Sequence, residues 1–116
     1  MKEDLLFRTK ALGIRIITLA DRLPNKPSGW AISKQIIRSG TSVGANYRAT
    51  RRAKSKPDFI NKFKIAEEEC DETIFWLEII EESNMVDREH LVEIKKEANE
   101  LLSIFVASIK TLKSNA

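Results

Sequence analysis

Ser55-Lys56-Pro57-Asp58-Phe59-Ile60-Asn61-Lys62-Phe63-Lys64-Ile65-Ala66-Glu67-Glu68-Glu69-Cys70-Asp71-Glu72-Thr73-Ile74-Phe75-Trp76-Leu77-Glu78-Ile79-Ile80 carries both a helix start and a helix face. A serine cap, an early proline and an acid three residues later satisfy the first orphan amides of a helix. Phe59, Phe63, Ala66, Cys70, Thr73, Leu77 and Ile80 then recur at steps of three and four, the spacing of one inward stripe. The stretch is too long for a strand, and Ser83-Asn84 ends it.

Outward from this helix, three more are expected. Upstream, Leu5, Leu12, Ile16, Leu19 and Leu23 lie on one face of a helix over about Glu3 to Leu23. The breakers Pro24-Asn25-Lys26-Pro27-Ser28-Gly29 form a loop. A second helix is expected from about Trp30 to Ala53, with Ile32, Ile36, Val43 and Tyr47 inward. Its middle, Ser39-Gly40-Thr41-Ser42-Val43-Gly44, is poor helix material, since each glycine costs about 1 kcal/mol relative to alanine. Gly40 and Gly44 nevertheless lie four apart near the face of Ile36, where a missing side chain admits a close neighbour, so the helix is read as continuous. Downstream, Asp87 is read as the cap of a last helix. There Leu91, Ile94, Ala98, Leu101, Phe105, Ser108 and Leu112 follow the bundle seam pattern, and the residues after Leu112 are expected to fray. Four helices of about 20 residues with short loops make an up-down antiparallel four-helix bundle, all-α, a single domain over residues 1–116.

Composition agrees and narrows the function. The chain has 42% hydrophobic and 32% charged residues, four glycines and three prolines, which is globular and rich in regular structure. No apolar run approaches the roughly 18 residues of a membrane span, and Met1-Lys2-Glu3-Asp4 is no signal peptide. One cysteine, Cys70, makes no internal disulfide, so a cytoplasmic location is expected. Cys70 sits on the inward stripe and is read as a small hydrophobe, not a nucleophile. His90 is the only histidine. A di-iron bundle needs two Glu-x-x-His motifs, and the acids Glu67 to Glu72 point all round their helix. No phosphate loop, Ser/His/Asp set or zinc spacing is present. No metal, cofactor or small-molecule substrate is expected, and no enzyme.

Two surfaces stand out instead. With Leu77 at zero and about 100° per residue, Ile65, Phe75, Trp76 and Ile79 fall on the back of the third helix, which marks an oligomer interface. On the second helix Lys34, Arg38, Arg48 and Arg52 make a basic stripe about 27 Å long by helical rise. Arg51, Lys54 and Lys56 gather at its end. Residues 1–64 hold fifteen Lys/Arg against four Asp/Glu, and residues 65–116 five against thirteen. The basic half fits the phosphates of a nucleic acid, RNA or DNA. The rival reading is a protein-binding scaffold in which the stripe of one subunit docks on the acidic third helix of the next.

Gln35-Ile36-Ile37-Arg38-Ser39-Gly40-Thr41-Ser42-Val43-Gly44-Ala45-Asn46 resembles the signature of the four helix bundle protein family, also called the 23S rRNA-intervening sequence protein family. Ser55 to Phe59 and Ile65 to Glu78 look like the family's third helix. The resemblance spans essentially the whole chain. It implies an up-down bundle that assembles as a homopentamer, genes inside ribosomal RNA insertions, and basic relatives that accompany retroelement reverse transcriptases and are thought to bind nucleic acid. Many members carry Ile-Ala-Glu-Gly after the matching asparagine; Tyr47-Arg48-Ala49-Thr50 stands here and puts a cation where they have an acid.

Overall fold

The computed structural model describes residues 2–115, with side chains from Asp4 onward. Four helices account for most of them: α1 (Lys2–Ala20), α2 (Pro27–Ala49), α3 (Lys56–Glu82) and α4 (Val92–Ser114). They pack in chain order, α1 on α2, α2 on α3 and α3 on α4, and the α1–α4 seam is the thinnest. The body measures 47 × 21 × 20 Å, about one long helix by two helix diameters. No helix among the described residues is long and apolar enough to cross a membrane.

The start of α3 is as the sequence expects. Ser55 Oγ accepts the Asp58 N–H at 3.2 Å, and the Asp58 carboxylate takes the Lys54 N–H at 3.0 Å. The inward stripe is buried from Phe63 to Ile80 and only half-buried at Phe59. Asn84 closes the helix in the left-handed region at φ 55°, and the Met85 N–H reaches back to the Ile80 carbonyl at 3.1 Å.

The other helix ends differ from expectation. α1 stops at Ala20, although Leu23 still packs into the core. α2 starts at Pro27, inside the expected loop, because a proline without an N–H costs nothing at the first helical position. It ends at Ala49, and a 3₁₀ turn, Thr50–Arg52, replaces its expected last turn. Asp87 caps no helix with its side chain. A 3₁₀ turn, Arg88–His90, follows it, with the Leu91 N–H on the Arg88 carbonyl at 2.9 Å. That turn drops Leu91 into the core, and α4 begins only at Val92. Helix α4 runs to Ser114, past the expected fraying point, and its seam shifts at the far end. Ile109 is buried there, whereas Ser108 and Leu112 are half-buried. A straight helix drifts about 20° per heptad from a strict seven-residue repeat, enough to move the seam by one residue over about three heptads.

The unpromising middle of α2 packs closely against α1. A Cβ on Gly40 would sit 2.9 Å from both Ile16 Cγ1 and Ile16 Cγ2 of α1. One on Gly44 would sit 3.2 Å from the Thr9 backbone. On the opposite side of α2 the fully buried Ser39 and Thr73 hydroxyls lie 3.0 Å apart and share a hydrogen bond to α3. At one end of the core Tyr47, Phe63 and Phe105 form an aromatic cluster, Phe63 meeting each of the other two edge-on at 5.6 and 5.5 Å.

Across the thin seam, Arg8 of α1 grips Glu97 of α4 through two hydrogen bonds of 2.9 and 2.8 Å and reaches Glu100 at 2.6 Å. The Arg8 hydrogen bonds hold the Glu97 carboxyl below the usual carboxylate range. Arg38 and Lys95 do the same for Glu72 and Glu81. A depressed folded pKa stabilises the fold above the unfolded carboxylate value, and the contribution is lost as pH falls. The thermal midpoint should therefore be flat near neutrality and fall below about pH 4. Arg8→Met should lower stability by about 1 kcal/mol at pH 7 and make that acid drop shallower. An unchanged acid limb in Arg8→Met would contradict the assignment.

The glycines give a second test. A Cβ on Gly29 would come within 1.8 Å of the Pro24 carbonyl oxygen, whereas one on Gly13 meets only ordinary contacts from 3.4 Å. Gly29→Ala should cost about 1–3 kcal/mol, and Gly13→Ala should be neutral or gain up to about 1 kcal/mol. Gly40→Leu should lose stability by about as much as Gly29→Ala. Chemical denaturation of the three variants checks the order.

Candidate nucleic-acid interface

The expected basic stripe is divided by its own fold. Lys34 is exposed on α2. One turn on, Arg38 donates to Glu69 at 3.1 Å and to Glu72, both on α3 of the same chain. Glu72 also accepts the Trp76 indole N–H at 3.0 Å. These hydrogen bonds raise the Arg38 pKa and lower that of Glu72. Arg38 is thus an ion-pair partner in its own bundle, separated by about 15 Å of helical rise from Arg48.

The end of α2 is different. Arg48, Arg51, Arg52 and Lys54 are exposed on the last turn of α2, the 3₁₀ turn and the link to α3. None has a carboxylate within ion-pair distance among the described residues. Asp58, the nearest acid in sequence, is held by Lys62 Nζ at 2.8 and 2.9 Å. Lys56 Nζ donates to the Asn115 carbonyl at 3.1 Å, which ties this corner to the end of α4. The 3₁₀ turn follows α2 directly, so Arg48, Arg51, Arg52 and Lys54 stand close together in the chain, all exposed. A cluster of exposed, unneutralised guanidinium and ammonium groups can hold several phosphates.

Two hollows flank it, and Arg51 borders both. One, of about 460 Å³, is a groove between α1 and α2 floored by Gly13, Thr41, Gly44 and Ala45. The other, of about 790 Å³, opens between the ends of α1, α3 and α4.

The expected interface on the back of α3 is smaller than the wheel suggests. Phe75 is half-exposed, but Trp76 packs against the core and meets Phe75 edge-on at 5.0 Å, and Ile65 and Ile79 are half-buried. The larger apolar surface is on α1, where Phe7 is 73% exposed, Ile14 58% and Ile17 42%. The signal was available in the sequence: an advance of about 100° per residue puts all three opposite Leu12 and Ile16. Around Phe75 the acids Glu68, Asp71, Glu78 and Glu82 are exposed and make no ion pair among the described residues.

The groups considered for chemistry lie elsewhere. Cys70 is fully buried, its Sγ 3.4 Å from the Ala98 carbonyl. Burial, helped by the charges of Asp71, Glu67 and Glu97, pushes its thiol up to about 12. His90 is half-buried in the turn before α4. Among the described residues no three His, Cys, Asp or Glu side chains come together as a metal-holding group.

Comparison with known proteins places the chain. No curated protein matches it. A crystal structure of a protein of unknown function from the S23 ribosomal protein family of Bacteroides thetaiotaomicron VPI-5482 superposes with a TM-score of 0.85 at 37% identity, over 95% of this chain and 99% of that one. The family model for the 23S rRNA-intervening sequence protein matches residues 3–107. With its four-helix fold and near-complete match, this chain belongs to the 23S rRNA-intervening sequence protein family.

Proposed function

We propose that this protein is a non-enzymatic, self-assembling helical bundle that holds RNA, or another nucleic acid, by its phosphates. The observation that carries the reading is the corner of four exposed cations, Arg48, Arg51, Arg52 and Lys54, without an acid partner among the described residues. Exposed cations are common, but they usually alternate with acids. On the neighbouring helix Glu69 and Glu72 are engaged with Arg38, and Asp58 with Lys62. The family's description, which names an intervening sequence of 23S rRNA, is in keeping with an RNA partner.

The scaffold reading is weakened by the same pairs. It has the basic helix of one subunit dock on the acidic third helix of the next, yet Arg38 already meets Glu69 and Glu72 within one chain. Assembly itself is better supported by the apolar surface of α1. Phe7, Ile14 and Ile17 are too exposed for an isolated bundle, and their burial in a homo-oligomer is favourable at about 25 cal/mol per Å² before association entropy is subtracted. Five is the number of subunits that the family resemblance implies.

Binding to RNA should weaken steeply with salt, because each neutralised phosphate releases counterions. Arg52→Gln should flatten the salt slope by about one unit or less and weaken all sequences alike. Arg38→Gln should leave binding nearly unchanged. Fluorescence anisotropy at low and physiological salt reads both, and equal losses in the two variants would return the interface to the whole stripe. For assembly, Phe7→Asp with Ile14→Asp should shift the particle to monomer in light scattering without loss of helicity. A wild-type monomer at tens of micromolar would end the assembly proposal.

A further inference from the structure

At the end of the bundle that carries the cation corner, the thin α1–α4 seam stands open. The cleft of about 790 Å³ enters there, between Leu5 and Leu6 of α1, Phe59 and Phe63 of α3, and Ile104 and Leu112 of α4. Such walls withdraw a flat apolar ring from water. The rim is polar. Tyr47, a buried ring with a phenol hydroxyl, borders the cleft. Thr50 and Ser108 add hydroxyls, and Arg51 brings an unpaired guanidinium close enough to act on the Tyr47 phenol. A concave, mostly apolar site with a few convergent polar groups is the usual form of a ligand pocket between helices.

The occupant follows from what lies outside the rim. A single-headed amphiphile would use Arg51 and leave Arg52 and Lys54, exposed close to it in the chain, without a role. A strand has many anionic groups and an apolar, hydrogen-bonding base on each. Paired and stacked bases cannot enter such a cleft, but an unpaired one can leave its stack and do so. We propose that the cleft takes an unpaired nucleobase of a strand whose phosphates lie on the Arg48–Lys54 corner. The inference rests on the phosphate reading above and adds to it a preference for single-stranded or looped RNA.

The test uses the full chain, an unstructured 12-nucleotide RNA, and an oligomer of the same length and charge with abasic residues. Wild type should bind the intact strand roughly tenfold more tightly than the abasic one. Ala107 and Thr111 are exposed on the cleft's rim. Ala107→Leu, and separately Thr111→Leu, should fill the cleft without unfolding the helix, checked by circular dichroism. In both variants the intact strand should fall to the abasic affinity. Arg52→Gln with Lys54→Gln should weaken the two oligomers equally and preserve their ratio. Equal binding of intact and abasic strands by wild type, or a ratio that survives both cleft variants, overturns the base site and leaves the phosphate reading standing. No binding of either strand at low salt overturns both. Dodecanoate that shifts the Tyr47 and Thr111 resonances, where the oligomer shifts neither, assigns the cleft to an amphiphile and overturns the proposal.

Discussion

Helix α2 has to be thin. It is packed on two sides, by α1 over Gly40 and Gly44 and by α3 at Ser39. A side chain at Gly40 would meet Ile16 in its fully buried seat, and one at Gly44 would meet backbone. Glycine weakens a helix in isolation by about 1 kcal/mol per residue. Close apposition of two helices returns that loss through dispersion along the whole contact. The buried Ser39–Thr73 hydroxyl pair on the other side adds direction. It links α2 to α3 side chain to side chain, beyond the bond each hydroxyl makes to a carbonyl of its own helix.

That constraint also explains which parts of the fold are legible in the sequence. The stripe from Phe63 to Ile80 and the Ser55 cap are local signals, three to four residues in range, and both appear in the structure as read. The continuous α2 is legible only because the glycine spacing of four hints at a neighbour. Helix ends are less so. Pro27 is a breaker inside a helix and a good residue at its first position, and nothing within the Pro24–Gly29 run distinguishes the two. What decides it is Gly29, packed on the Pro24 carbonyl, a contact of the folded loop. The same holds for Asp87, a plausible cap whose side chain is passed over because the 3₁₀ turn buries Leu91 instead.

The candidate site was legible as composition and not as geometry. The excess of cations in residues 1–64 and of acids in residues 65–116 predicts that the halves attract, and in the fold they do. Arg8 meets Glu97 and Glu100, and Arg38 meets Glu69 and Glu72. A helical wheel treats Arg38, Arg48 and Arg52 alike because it knows only angle. Packing on α3 brings Arg38 within reach of two carboxylates, whereas Arg51 and Arg52 in the 3₁₀ turn meet none among the described residues. The α3 back patch is smaller than the wheel suggests for a related reason: Trp76 packs onto the core and gives its N–H to Glu72, while Phe75 stays half-exposed.

Intramolecular pairing therefore works as a filter on the surface charge. Each carboxylate already held by a cation of its own chain, with its pKa lowered as at Glu72, Glu81 and Glu97, is a poor partner for a neighbouring molecule. The cations left over define what the protein offers to solvent. Four of them, Arg48, Arg51, Arg52 and Lys54, follow closely in the chain where α2 ends, and Lys56 beside them ties that corner to the Asn115 carbonyl just past α4. A purely electrostatic surface would need no hollow beside it, and a purely apolar pocket would need no charge beyond one anchoring group. The coincidence of both at one end of the bundle is what separates a strand with exposed bases from a smooth duplex or a lone amphiphile as the partner that fits.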